Sequence, residues 1–230
     1  MRYENTREAV FLKRNNRFSA DVLIDGEPEK VHIKNTGRLR ELLITGTVVI
    51  LEEGRNPERK TRYSITAVKK GNELVNIDSQ APNAAAYEAL SKGRITEIGK
   101  PDMVKREVKY GDSRFDLYYE KNGRKGFVEV KGVTLDDDST ARFPDAPTQR
   151  GAKHLRELVK AVKEGYECSV LFVIQMKGIA AFEPNYATDP EFAAELINAS
   201  KNGVNVLAYD CIAGEDFLDI DSKIKVRLTN

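Results

Sequence analysis

The chain has 230 residues, 40% hydrophobic and 32% charged, which is length enough for one large domain or two modest ones and too apolar for a disordered chain. Lys and Arg number 37 against 36 Asp and Glu, a net charge of +1. That excludes a surface dominated by phosphate-binding cations and leaves room only for a local basic groove that the sum averages away. Residues 1–80 carry 15 basic and 12 acidic side chains, and residues 81–230 carry 22 and 24. The strongest apolar run, 170–174, is strand-sized and far short of a span, so no membrane partner is expected. Arg2, Glu4, Arg7 and Glu8 precede any apolar run, against a signal peptide. Cys168 and Cys211 have no metal-spaced partners and read as reduced, buried thiols of a cytoplasmic protein.

Residues 8–78 read as short strands separated by turn chemistry. Phe18, Ala20, Val22 and Ile24 alternate before an Asp25-Gly26 turn; Val31 and Ile33, then 48–51 and 63–68, follow. Gly71-Asn72 turns the chain into 74–77, and Leu39, Leu42 and Leu43 have helical spacing within 37–43. Five or so strands in this length predict a small OB-like barrel over residues 1–81. Asn83 is expected to cap a helix that stops at Gly93. Beyond it, strands at 114–120 and 126–133 precede a helix from Thr148, a buried strand at 168–175, a helix capped by Asp189 and a strand at 204–209. Residues 82–230 therefore read as an α/β domain with a mixed sheet.

One hairpin carries chemistry. Asn122-Gly123 favours a two-residue type I′ turn, and that register sets Asp116 directly opposite Glu129. Alternation puts Lys131 on the face of Glu129, and Phe115, Leu117 and Tyr119 with Val130, Val128 and Gly126 on the other. Like charges opposed across a sheet are destabilising unless a cation lies between them. Mg²⁺ or Mn²⁺, held by Asp116, Glu129 and the Val130 carbonyl, fits that donor chemistry. Lys131 could then orient a water or meet charge developing on a phosphate, so Asp116, Glu129 and Lys131 form a candidate catalytic set for phosphodiester hydrolysis. The plainer reading is a solvated Glu-x-Lys strand face with Arg114 neutralising Asp116.

The segments 107–111, 129–135, 143–146, 148–151 and 153–158, with Arg17-Phe18, Ala20-Asp21-Val22 and Asn35-Thr36-Gly37, resemble the sugar fermentation stimulation protein A family over nearly the whole chain. The resemblance implies an N-terminal OB-like domain and a C-terminal domain similar to PD-(D/E)xK nucleases, with the nuclease pattern falling on Asp116, Glu129 and Lys131. Phe115 stands where that pattern has Pro. It also implies DNA binding without sequence preference and a role in regulating maltose metabolism. Fold similarity does not establish an activity, so a nuclease and a non-catalytic DNA-binding regulator are both carried forward.

Secondary candidates follow. The helix opening at Thr148 offers Gln149, Arg150, Lys153 and His154 to a phosphate, against ordinary capping and a solvated basic face. Asp136, Asp137 and Asp138 read as a charged loop sooner than as metal ligands. Asn35-Thr36-Gly37 reads as a turn that the resemblance directs toward the active-site side. Arg55, Arg59, Lys60 and Arg62, interspersed with Glu52, Glu53 and Glu58, form a basic loop that either tracks a nucleic-acid backbone or is merely solvated. No helix-turn-helix or zinc-finger spacing is present, which argues against sequence-specific readout.

Overall fold

The structure, a computed structural model, describes residues 1–56 and 58–228. The chain opens with β1 (Thr6–Arg14), β2 (Ser19–Ile24), β3 (Glu27–Ile33), β4 (Val48–Glu53), β5 (Tyr63–Lys70) and β6 (Glu73–Asn76). They pair in the order β3-β2-β1-β4-β5-β6, and a parallel pairing of His32 and Ile33 with Ser64 and Ile65 closes β1–β5 into an OB barrel. Asp25 and Gly26 both take positive φ, as the turn required. Phe11, Val22, Val31, Ile33, Leu51 and Ile65 fill the interior. Residues 37–43 do not form a helix: Leu39 sits at φ +48 and its carbonyl accepts from the N–H groups of Leu42 and Leu43, a single turn. Its apolar spacing reflects burial of Leu39 and Leu42 beneath the barrel surface.

After α1 (Ala81–Ser91) come β7 (Met103–Tyr110), β8 (Ser113–Lys121), β9 (Arg124–Val133), β10 (Asp136–Asp137), β11 (Thr140–Phe143), α2 (Gln149–Lys163), β12 (Glu167–Ile174), β13 (Ala181–Pro184), α3 (Pro190–Lys201), β14 (Asn205–Ala213), β15 (Leu218–Lys223) and β16 (Lys225–Val226). The main sheet runs β15-β14-β12-β9-β8-β7, with β9, β12 and β14 mutually parallel and the rest antiparallel: a mixed α/β domain. A smaller sheet, β10-β11-β13-β16, lies beside it. Alanine-rich α1 packs on one face against Leu117, Val128, Val130, Leu171 and Tyr209. The apolar stripes of α2 and α3 cover the other, against Phe127, Val170 and Phe172. Thr148 caps α2 by accepting from Gly151 N, and Asp189 caps α3 through Phe192 N while its other oxygen accepts from Thr148 N. Both cysteines are buried and free, and burial pushes the Cys168 thiol up to about 12.

The two halves meet along a polar seam. Gln175 Nε2 donates to the Asn76 carbonyl, Asn76 Oδ1 and the Asp78 carbonyl at 2.9–3.2 Å, and Asn76 N donates to the Gln175 carbonyl at 2.9 Å. Lys34 joins Glu52 and Asp78 there. Residues 1–3 leave the barrel: Tyr3 N donates to Asp216 O, Leu218 N donates to Met1 O, and Arg2 bridges to Phe217. No helix among the described residues is long and apolar enough to cross a membrane.

Candidate metal centre

The site lies at the open end of the β8–β9 hairpin. Asn122 and Gly123 take φ +50 and +75, and the ladder runs in the expected register from Lys121↔Arg124 to Leu117↔Val128. There it stops. At the next position a side chain replaces the backbone partner: Asp116 Oδ2 accepts from Val130 N at 2.8 Å. The strand also switches faces. Phe115 packs at a tilt against Phe127 and edge-on to His154 on the α2 side, while Leu117 and Tyr119 stay on the α1 side, so the alternation expected for 115, 117 and 119 breaks at Asp116. Arg114 does not neutralise Asp116; its guanidinium lies 3.5 Å from Glu107.

Each face of the sheet contributes one carboxylate's support. From α1, Asn83 Nδ2 donates to Asp116 Oδ1 at 2.8 Å. Asn83 therefore does not cap the helix, which starts after Gln80; it stands on the inner side of the first turn. From α2, His154 hydrogen-bonds Glu129 Oε1 through Nδ1. A carboxylate only accepts, so Nδ1 carries the proton, and His154 Nε2 accepts from Arg150 Nε at 3.5 Å. Lys131 Nζ donates to the same Glu129 Oε1 at 2.6 Å. Glu129, Lys131 and His154 side chains are only 3%, 14% and 7% exposed, so this is no solvated Glu-x-Lys face.

The two acids are pushed in opposite directions. Burial, and then the neighbouring Glu129 charge, raise the Asp116 carboxyl above the ordinary range despite the Val130 N–H, Lys131 and Asn83. Burial pushes Glu129 up as well, but the His154 hydrogen bond and the Lys131 charge outweigh it and hold Glu129 below that range.

One atom is left over. Glu129 Oε2 is buried with no hydrogen-bond partner, a costly state for a carboxylate oxygen unless something else binds it. Val130 donates its N–H toward Asp116, and in a strand the carbonyl of the same residue leaves on the same edge. Two carboxylates and a carbonyl around one opening are a hard-oxygen donor set of the kind Mg²⁺ or Mn²⁺ takes with waters completing the shell. Among the described residues no group of three or more His, Cys, Asp or Glu side chains is arranged to hold a metal, so waters would have to supply the remaining ligands.

Of the other sequence candidates, His154 joins the site through Glu129. His154 is not on the solvent side of α2; it shares the buried stripe of Gly151, Leu155 and Leu158, a 3.6-residue spacing that was readable in the sequence. Gln149, Arg150 and Lys153 are exposed, with Lys153 Nζ reaching the Asp112 carbonyl. Asp136 pairs with Lys70 and Asp137 with Arg142, away from the hairpin opening. Of the basic loop, Arg55 pairs with Glu4, Arg62 with Glu53, and Arg59 bonds Ser64. Asn35-Thr36-Gly37 is a turn, closed by Asn35 Oδ1 accepting from Gly37 N, and it lines a cleft between the two halves that reaches Gly132, the residue after Lys131.

Comparisons with known proteins agree with this architecture. Residues 12–77 match the profile described as the SfsA N-terminal OB domain, and residues 80–216 the sugar fermentation stimulation protein RE domain. The chain is 54% identical to a sugar fermentation stimulation protein homolog of Alkaliphilus oremlandii over 98% of each chain. It is 51% identical to one of Desulfitobacterium hafniense over 99% of each. The solved structure of Pyrococcus furiosus SfsA, described as a complex with Ca²⁺, superposes with a TM-score of 0.89 at 28% identity, covering 99% of this chain and 98% of that one. The chain belongs to the sugar fermentation stimulation protein (SfsA) family.

Proposed function

We propose that this protein binds DNA without sequence preference and hydrolyses phosphodiesters at a divalent cation held by Asp116, Glu129 and the Val130 carbonyl. The observation that carries the reading is Glu129 Oε2, buried and unpartnered beside a second carboxylate whose own pKa is raised by burial and then by the Glu129 charge. The Ca²⁺ described for the Pyrococcus relative supports a site for a hard divalent ion, and Mg²⁺ or Mn²⁺ is the working metal that the donor set favours. When bound, such an ion supplies Lewis-acid stabilisation and a more acidic water. The protein's own groups do the rest. Asn83 and the Val130 N–H fix the Asp116 carboxylate, and His154 fixes Glu129 in one rotamer. Lys131, on the same strand face as Glu129, is placed to donate to a phosphate oxygen or to the attacking water.

The test is a nicking assay on plasmid and single-stranded DNA with Mg²⁺ or Mn²⁺, comparing wild type with Asp116→Ala. Wild type should cleave and the variant should lose about a hundred- to a thousandfold, the scale of removing one electrostatic stabiliser of a transition state. DNA binding without metal-dependent cleavage in wild type would leave the non-catalytic regulator of sugar metabolism.

A further inference from the structure

The net charge of +1 hides an uneven distribution. Between the barrel and the α/β domain lies a cleft of about 810 Å³, and five arginines line it against a single acid, Asp145. Two of the five are committed. Arg14 donates to the carbonyls of Asn16, Arg17, Asn35, Gly37 and Arg38, pinning two barrel loops together, and Arg142 pairs with Glu183. Arg17, Arg38 and Arg40 are exposed and make no ion pair or side-chain hydrogen bond among the described residues. Beside Arg17 stands Phe18, 56% exposed although its backbone is held at both ends, by Asn16 Oδ1 and by Ile33 N. An exposed aromatic ring on a fixed β1–β2 loop, one residue along the chain from the cleft-lining Arg17, is a feature by which OB barrels stack bases while tracking a backbone.

The cleft also reaches β9 just beyond Lys131. Its floor includes Gly132 and Val133, and Val133 shares a strand face with Lys131 roughly 7 Å away, two residues along β9. Gly132 keeps that floor low: a Cβ there would meet Gln175 Oε1 at 2.6 Å and Pro82 Cγ at 2.7 Å. A cleft of this size is in the range of sites that enclose small ligands.

We propose that the cleft between the two domains binds one nucleic-acid strand, with the Phe18 ring stacking a base and Arg17, Arg38 and Arg40 meeting its phosphates, and delivers that strand to Asp116, Glu129 and Lys131. This deepens the nuclease reading by naming a single-stranded segment as the substrate, and it rests on that reading for the delivery alone.

The experiment is fluorescence anisotropy in EDTA, using full-length protein carrying Asp116→Asn, a labelled oligothymidylate, and the same strand annealed to its complement. The single strand should bind about tenfold or more tightly than the duplex. Combined Arg17→Ala, Arg38→Ala and Arg40→Ala should lower single-strand affinity and reduce the slope of log K against log salt by about 2, since each neutralised phosphate contributes about 0.7. Phe18→Ala should weaken binding about tenfold with the salt slope unchanged, as loss of stacking does. Unchanged melting temperatures would establish that these surface variants fold. A duplex bound as tightly as the single strand, or a triple variant with the wild-type slope, overturns the proposal. Should the strand bind as expected while wild type never nicks DNA with Mg²⁺ or Mn²⁺, the nuclease reading falls and the cleft stands. Should wild type nick DNA and the arginine variant bind as wild type, the cleft falls alone.

Discussion

The two ends of the β8–β9 hairpin obey different rules. At the tip, Asn122 and Gly123 occupy positive φ and five residue pairs form an uninterrupted ladder. At the open end the ladder gives way to an Asp116 side chain bonded to a backbone N–H, a reversed strand face at Phe115, and an unpartnered buried oxygen on Glu129. The tip is built for stability: its backbone groups satisfy one another and its turn residues suit their dihedrals. The open end holds two carboxylates close together in a poorly solvated place, an arrangement that costs stability and suits a cation.

If the open end depends on support from both helices, removing one support should cost far more than damaging the tip. His154→Ala leaves Glu129 Oε1 with Lys131 as its remaining donor and opens space beneath Phe115, so the metal-free protein should lose about 3 kcal/mol in chemical denaturation. The same loss should bring Glu129 back toward the ordinary carboxylate range. Glu129 is held low in the native state, so its stabilisation is present above its unfolded pKa and disappears as pH falls through its depressed native value. In His154→Ala that acid-side loss should be smaller and should finish at a higher pH. Gly132→Ala forces a methyl group into Pro82 and Gln175 and should cost about 2 kcal/mol, measured the same way. At the tip, Gly123→Ala meets no neighbouring atom within 4 Å; placing Ala at φ +75 should cost about 1 kcal/mol and leave metal binding untouched.

The same contrast explains what was legible in the sequence. Turn chemistry and caps are local, so Asn122-Gly123, Asp25-Gly26, Thr148 and Asp189 could be read directly, and with them the hairpin register that brought Asp116 and Glu129 together. The face of Phe115 could not, because alternation holds only while the ladder lasts and nothing local marks its end. Asn83 resembled a cap by residue type; its role is set by a partner 33 residues away. His154 was identified as a polar residue near a helix start, though its place on the Leu155–Leu158 stripe signalled burial. The basic cleft was invisible because Arg17, Arg38 and Arg40 are gathered by barrel closure while distant acids cancel them in the sum. The basic run at 55–62 was conspicuous in sequence, yet Arg55 and Arg62, two of its four cations, are paired with acids in the fold.

The central claim, that the hairpin opening holds a divalent cation, is tested most directly by melting temperature with and without Mg²⁺ or Mn²⁺ in wild type and Asp116→Asn. Asp116 is held above its ordinary range, so its charge costs stability as pH rises through that range and costs nothing in acid, where it is protonated folded and unfolded alike. Asn keeps the bond from Val130 N, and the Asn83 amide can turn to offer its oxygen. At neutral pH the metal-free variant should therefore be more stable than wild type by about 0.2–1 kcal/mol, a gain that vanishes in acid. Metal at a hundredfold over its dissociation constant should stabilise wild type by about 2.7 kcal/mol and leave the variant unchanged. A wild-type melting temperature indifferent to both metals, with Asp116→Asn neutral or destabilising at every pH, would contradict the account.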